Sequence, residues 1–229
     1  MAPVLELQHS YPAVERGGSV SYGGSQMLSP DPVVRRCGCG VVGALDMLLY
    51  LGRNRPGCAV DFLSWDGDAI PQERYESMLQ SLRSRCLPLV YPFGLNGLVL
   101  AAGLNRLFRA QHIPLSARWE WRRGGLWAGL DRMLSDDIPV ILSIGPNFPL
   151  LLSRKHQLSL CRPDGHGQRL PVTATSAHYV TVTGRDREWL RCSSWGREYF
   201  LRIRDYEEYA GRHSSYVFSN ILRVEERKR

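Results

Sequence analysis

An α+β fold follows from three features of the sequence. Apolar residues recur at helical spacing through the first half, short β-branched and aromatic runs crowd together beyond position 175, and one early segment is apolar on every side. That segment is Val41 to Leu51, in which Asp46 is the only charged residue. A helix without a polar face is buried between layers rather than laid on a surface. The expected arrangement is therefore a central buried helix packed against an antiparallel sheet, in one domain. The helical half spans about 36–135 and the sheet half about 136–225, after an irregular N-terminal arm over 1–35.

The elements follow in order. Residues 1–35 carry Gly17-Gly18-Ser19 and Gly23-Gly24-Ser25, turn chemistry that predicts an irregular arm lying across the body. The buried helix comes next, with Gly52 as its stop. After a loop over 53–70, Tyr75, Met78, Leu79 and Leu82 recur three and four residues apart and predict a second helix from Pro71 or Gln72 to about Cys86. Leu95 to Gln111 makes a third, with Asn96 as its cap. Ile113 to Trp121 is extended, Leu126 to Leu134 is a short helix, and Pro139 to Gly145 is an apolar inner strand. Residues 146–176 read as loop with one short strand around Gln157 to Cys161. Strands then return at His178–Gly184, Glu188–Ser193, Glu198–Ile203 and Asn220–Val224, with a short helix over Asp205–Tyr209.

Composition narrows the function. The 229 residues, 44% of them apolar, suffice for a full core. The net charge of +7 is carried by arginine, since Lys155 and Lys228 are the only lysines. The arginines are dispersed in ones and twos, and the final run Glu225-Glu226-Arg227-Lys228-Arg229 mixes signs, so a solvated basic surface is expected rather than a nucleic-acid site. No apolar run approaches the roughly 18 residues of a membrane span. Met1-Ala2-Pro3-Val4-Leu5-Glu6 lacks the basic start and apolar core of a secretory signal. A cytoplasmic chain is expected, with its six cysteines as free thiols.

The chemistry centres on Cys39, which stands between Gly38 and Gly40 where the buried helix begins. Unpaired N–H groups and the positive end of the helix dipole favour thiolate over thiol there. A cysteine nucleophile needs an imidazole to hold its proton, distant in sequence and adjacent in space, and His178 at the head of a predicted strand is the candidate. Cys37, two residues earlier and also followed by glycine, is the rival. A metal set of Cys37 and Cys39 with His156, His166 or Cys161 lacks any Cys-x-x-Cys or His-x-x-x-His spacing, so no metal or cofactor is expected. Trp119, Trp121 and Trp127 are expected as core and rim aromatics, and Asp164-Gly165-His166-Gly167 as a turn.

These residues resemble the papain-like cysteine peptidase superfamily, in particular its bacteriocin-processing peptidase-like branch. Cys39-Gly40-Val41-Val42-Gly43-Ala44-Leu45, running on to Gly52, is similar to that branch's central helix. His178-Tyr179-Val180-Thr181-Val182-Thr183-Gly184 is similar to its base-bearing strand, and Ser193-Ser194-Trp195-Gly196 to the Asn-Ser-Trp-Gly turn of the papains. The likeness covers 37–52 and 176–200, and extends by wording to a group of bacterial proteins. It implies a papain-like fold with Cys39 as nucleophile, the thirteen residues on to Gly52 matching the family's helix length, and His178 as base. The family's imidazole-orienting Asn or Asp falls on Ser193, with Asp186 and Asp205 in reserve. Its oxyanion glutamine is missing from 31–36, which leaves Gln26 to fold back beside the Cys39 N–H. The implied activity is that of a thiol peptidase or amide hydrolase acting on a peptide or protein. The same site could serve an acyltransferase or transglutaminase, and the substituted residues leave open an inactive binding protein. A cleft filled by residues 1–35, or Cys39 and His178 lying apart, would favour the inactive protein, whereas a filled cleft with Cys39 and His178 well placed for one another would indicate self-inhibition. Oligomeric state is not set by the sequence.

Overall fold

The computed structural model describes residues 4–151, 153 and 155–227, so Lys228 and Arg229 of the mixed-charge tail lie outside it. Three short strands, β1 (Leu5–Glu6), β2 (Ala13–Arg16) and β3 (Ser19–Tyr22), precede α1 (Pro32–Cys37) and the buried α2 (Cys39–Asn54). Next come β4 (Ile70–Pro71), α3 (Gln72–Arg85), α4 (Gly97–Ala110), β5 (Leu115–Trp119), α5 (Arg123–Ser135) and β6 (Val140–Ile144). The sheet half is β7 (Leu158–Pro163), β8 (Arg169–Thr175), β9 (His178–Arg185), β10 (Trp189–Ser194) and β11 (Arg197–Arg202), then α6 (Ile203–Arg212) and β12 (Leu222–Glu226). The α+β class is therefore as expected.

Strand β9 is the spine of the main sheet. One edge pairs with β10, and the other is shared by β6, which takes residues 178–182, and β1, which takes Gly184 and Arg185. From β10 the antiparallel order continues through β11 and β7 to β8. A second ladder, β5 with β12, reaches β6 through a bridge between Leu142 and Ile221.

Helix α2 lies against β9 and β6, and every residue from Gly40 to Leu51 is buried. Burying each large aliphatic side chain contributes about 1.5–3 kcal/mol, which is ample reason for this helix to occupy the centre. Two glycines set the closeness of approach. A Cβ on Gly40 would come within 3.3 Å of the Tyr179 ring, and one on Gly43 within 3.1 Å of Thr181 Oγ1.

Several expectations need correction. The arm is not irregular: β1 extends the main sheet, β2 pairs with β3 and in parallel with β4, and Val14 joins the core. Strands of two to four residues are too short to show a periodicity, and apart from the β2–β3 hairpin their partners lie far along the chain. Asp31-Pro32 starts α1, the aspartate accepting hydrogen bonds from the Val33 and Val34 amides. Gly52 does not stop α2, which runs on to Asn54; a Cβ there would lie 3.4 Å from Ala59 Cα, so the glycine lets the returning loop pack closely. Within 146–176 the chain forms a β7–β8 hairpin, and Pro171 is accommodated because β8 is an edge strand with a register shift opposite it.

Candidate functional site

Gly38 ends α1 and caps α2, and so separates the two cysteines. Cys37 closes α1 with its thiol donating back to the Val33 carbonyl at 3.2 Å. Cys39 opens α2 and lines a pocket with His178, Gln26, Asp46, Ser194 and Trp195. The free space there is about 10 Å³, room for a single water-sized sphere. The two-residue spacing thus places one cysteine at the pocket and turns the other away.

His178 stands at the first position of β9 and is buried. Its Nε2 lies 2.7 Å from Ser194 Oγ, and the Trp195 indole stacks on the ring at 4.4 Å between centroids and 18° between planes. Burial pushes its pKa down to about 3, so the ring is neutral.

Ser193 does not hold the ring. Its Oγ donates to the Tyr22 carbonyl at 2.7 Å, and Ser194 takes the imidazole instead. The reason is a bulge: Arg191 pairs with Gly184 but Cys192 with Val182, so β9 carries one extra residue. From there Ser193 faces Thr181, and Ser194 shares the face of His178. The reserve aspartates are elsewhere. Asp186 accepts from the Glu188 and Trp189 amides and pairs with Arg169, and Asp205 lies in the first turn of α6; neither lines the pocket.

Gln26 does reach the pocket, because the segment that carries it packs against α1, which leads directly into α2 and Cys39. Its Nε2 donates one hydrogen to the Arg35 carbonyl at 2.9 Å. Asp46 has no place in the sequence reading beyond being the lone charge in an apolar helix. It sits seven residues from Cys39, two turns on along the same face of α2. Its carboxylate accepts from Tyr75 Oη at 2.7 Å, Tyr11 Oη at 3.3 Å and the Gly24 amide at 3.0 and 3.2 Å. Burial raises its pKa to about 6 against the pull of these donors.

The thiol is not preformed as a thiolate. Cys39 is half-buried as a residue, but desolvation of its sulfur pushes the thiol up to about 11, and the Tyr179 and Gly40 backbone N–H groups oppose that only in part. The helix terminus acts in the expected direction, and desolvation in the narrow pocket outweighs it. In this closed arrangement a neutral thiol and a neutral imidazole face one pocket, and no hydrogen bond joins them among the described residues.

All six cysteines are free. Among the described residues no three His, Cys, Asp or Glu side chains stand together as a metal site; Cys37 is hydrogen-bonded to the Val33 carbonyl, and His156 stacks on His213 at 3.9 Å. Among the described residues no helix is long and apolar enough to cross a membrane. Comparison of the chain with protein-family models, curated proteins and solved structures finds no match in any of the three.

Proposed function

We propose that this protein is a cysteine-dependent acyl-transfer enzyme of papain-like type, a peptidase or amide hydrolase with Cys39 as nucleophile and His178 as base. The observation that carries the reading is the gathering of Gln26 and Cys39, from the N-terminal part of the chain, with His178 and Ser194, from the paired strands β9 and β10, in one pocket. A nucleophile at a helix start, an oriented imidazole and a side-chain amide are what thioester chemistry needs.

In the tautomer that donates Nε2–H to Ser194, His178 Nδ1 is free to take the thiol proton. The sulfur then attacks the substrate carbonyl carbon, and the developing oxyanion is met by the Cys39 N–H and the second Nε2 hydrogen of Gln26. Collapse expels the amine, which takes its proton from the imidazolium and leaves a thioester. Water activated by the neutral imidazole hydrolyses the thioester; an amine in its place gives transfer. A substrate must widen the pocket to enter, and solvent admitted with it relieves the burial that holds the thiol protonated.

One set of observations favours a second reading, a binding protein without turnover: the narrow pocket, the raised thiol and the lowered imidazole. Burst kinetics with p-nitrophenyl acetate separate the two. Acylation at Cys39 followed by release of acetate, lost in Cys39→Ala and kept in Cys37→Ala, supports the enzyme. Acylation lost only in Cys37→Ala would overturn the assignment, and a stable unacylated Cys39 supports the binding protein.

A further inference from the structure

Asp46 is a buried carboxylate in the pocket that the proposed chemistry does not use. A carboxylate is costly to bury without partners, so what it holds is informative. Three parts of the chain meet on it: α2 through Asp46 itself, α3 through Tyr75, and the N-terminal segment through Tyr11 and Gly24.

The last contact is built without slack. A Cβ on Gly24 would stand 1.9 Å from Tyr75 Oη, and one on Gly23 would stand 2.6 Å from Asp46 Oδ2 and 2.5 Å from Ser193 Oγ. Gly23 also has φ +75°, a conformation that favours glycine. Only bare backbone passes between the carboxylate, the tyrosine and the sheet. The segment that passes there leads within two residues to Gln26.

We propose that Asp46 is a positioning residue of the Cys39 site: by holding the Gly24 amide it fixes the segment from Tyr22 to Gln26 across the pocket, and so sets both access to the Cys39 thiol and the placement of Gln26. The segment's other anchors lie on either side of that crossing: Tyr22 ends β3 opposite Ala13, with its Oη donating to Thr183 Oγ1 at 2.8 Å and its N to Gly196 O at 3.0 Å, and Gly23 N donates to Pro12 O at 2.8 Å, Ser21 Oγ to Gly23 O at 2.7 Å, Ser193 Oγ to Tyr22 O, and Gln26 Nε2 to Arg35 O. Asp46 alone takes the amide at the crossing point.

The inference rests on Cys39 being the centre of the site, and its test reads thiol access rather than turnover. Iodoacetamide labelling of the full chain, resolved by cysteine in mass spectrometry, would compare wild type, Asp46→Ala, Asp46→Asn and Gly24→Ala. Cys39 is expected to label about tenfold faster or more in Asp46→Ala and Gly24→Ala, as a local opening requires, with Cys58 and Cys192 unchanged. Asp46→Asn keeps an acceptor for the amide and should stay within about threefold of wild type. Unchanged labelling of Cys39 in both disruptive variants overturns the proposal. So does a parallel rise at Cys39, Cys58 and Cys192, which marks Asp46 as a general stability residue. If Cys39 labels as expected but acylation by the ester probe does not need it, Asp46 keeps its role and the acyl-transfer reading falls.

Discussion

The pocket has a sheet wall and a threaded wall, and the two are held by different physics. On the sheet wall His178 heads a strand paired along both edges, with a hydroxyl on Nε2 and an indole over its face. On the threaded wall Gln26 follows a backbone segment that leaves the end of β3 at Tyr22 and is fixed beyond it by isolated hydrogen bonds and the Asp46 crossing. Ladder bonds break together, whereas isolated bonds open locally at lower free energy. The difference places the proposed base on the permanent side of the pocket and the proposed oxyanion donor on the side that can open.

The largest effect should come from the permanent side. His178→Ala is expected to slow acylation of Cys39 by p-nitrophenyl acetate by about 10²–10⁴-fold, the usual worth of a positioned base. Stopped-flow bursts would measure it. A loss under threefold would remove His178 from the chemistry and leave the sheet wall a scaffold.

On the threaded side the first test is pH. Asp46 is held at about 6 in the fold, above the roughly 3.9 of an unfolded aspartate, so the native state binds the proton more tightly. Its stabilising contribution is complete below about pH 4 and is lost as pH rises through about 6. At 1.4 kcal/mol per unit, wild type should lose about 2 kcal/mol relative to Asp46→Asn between pH 4 and 7 in urea titrations. A flat difference would mean that the three donors already balance the burial of the charge.

The two tyrosines on Asp46 should separate by bond length. Tyr75 Oη donates at 2.7 Å and Tyr11 Oη at 3.3 Å. Tyr75→Phe is expected to cost about 2 kcal/mol at neutral pH and Tyr11→Phe about 0.5 kcal/mol, in the same titrations. Equal costs would place the crossing under the joint control of α3 and the N-terminal segment.

What the sequence displayed depended on whether the signal was local. The apolar run around α2, the Asn96 cap and the spacing of Tyr75, Met78, Leu79 and Leu82 are written in neighbouring residues, and those helices stand where expected. Strand β1 takes its order from β9 and β4 from β2, partners tens of residues away, and the β2–β3 hairpin is so short that its Gly-Gly-Ser turn suggested only irregularity. Cys39, His178 and Gln26 were visible by residue type and meet in the pocket, but the thiol's state was not, because burial belongs to the assembled fold. Asp46 carried a readable signal: a lone carboxylate in a buried helix must have partners, and seven residues from Cys39 puts it on the same face.

Ser193 and Ser194 are the finest case, because one inserted residue in a neighbouring strand exchanges their roles. Without the bulge at Val182 to Gly184, Ser193 would lie across from Val182 and share the face of His178; with it, Ser194 does. Ser194→Ala should therefore lower ester acylation about tenfold, since the imidazole loses the group that orients it, with little change in stability. Ser193→Ala removes only the tie to the Tyr22 carbonyl and should leave acylation within about threefold, while Cys39 labels somewhat faster as the threaded wall loosens. The reverse order in stopped-flow bursts would restore Ser193 as the orienting residue and show that the register of β9 against β10 is one residue from the arrangement described.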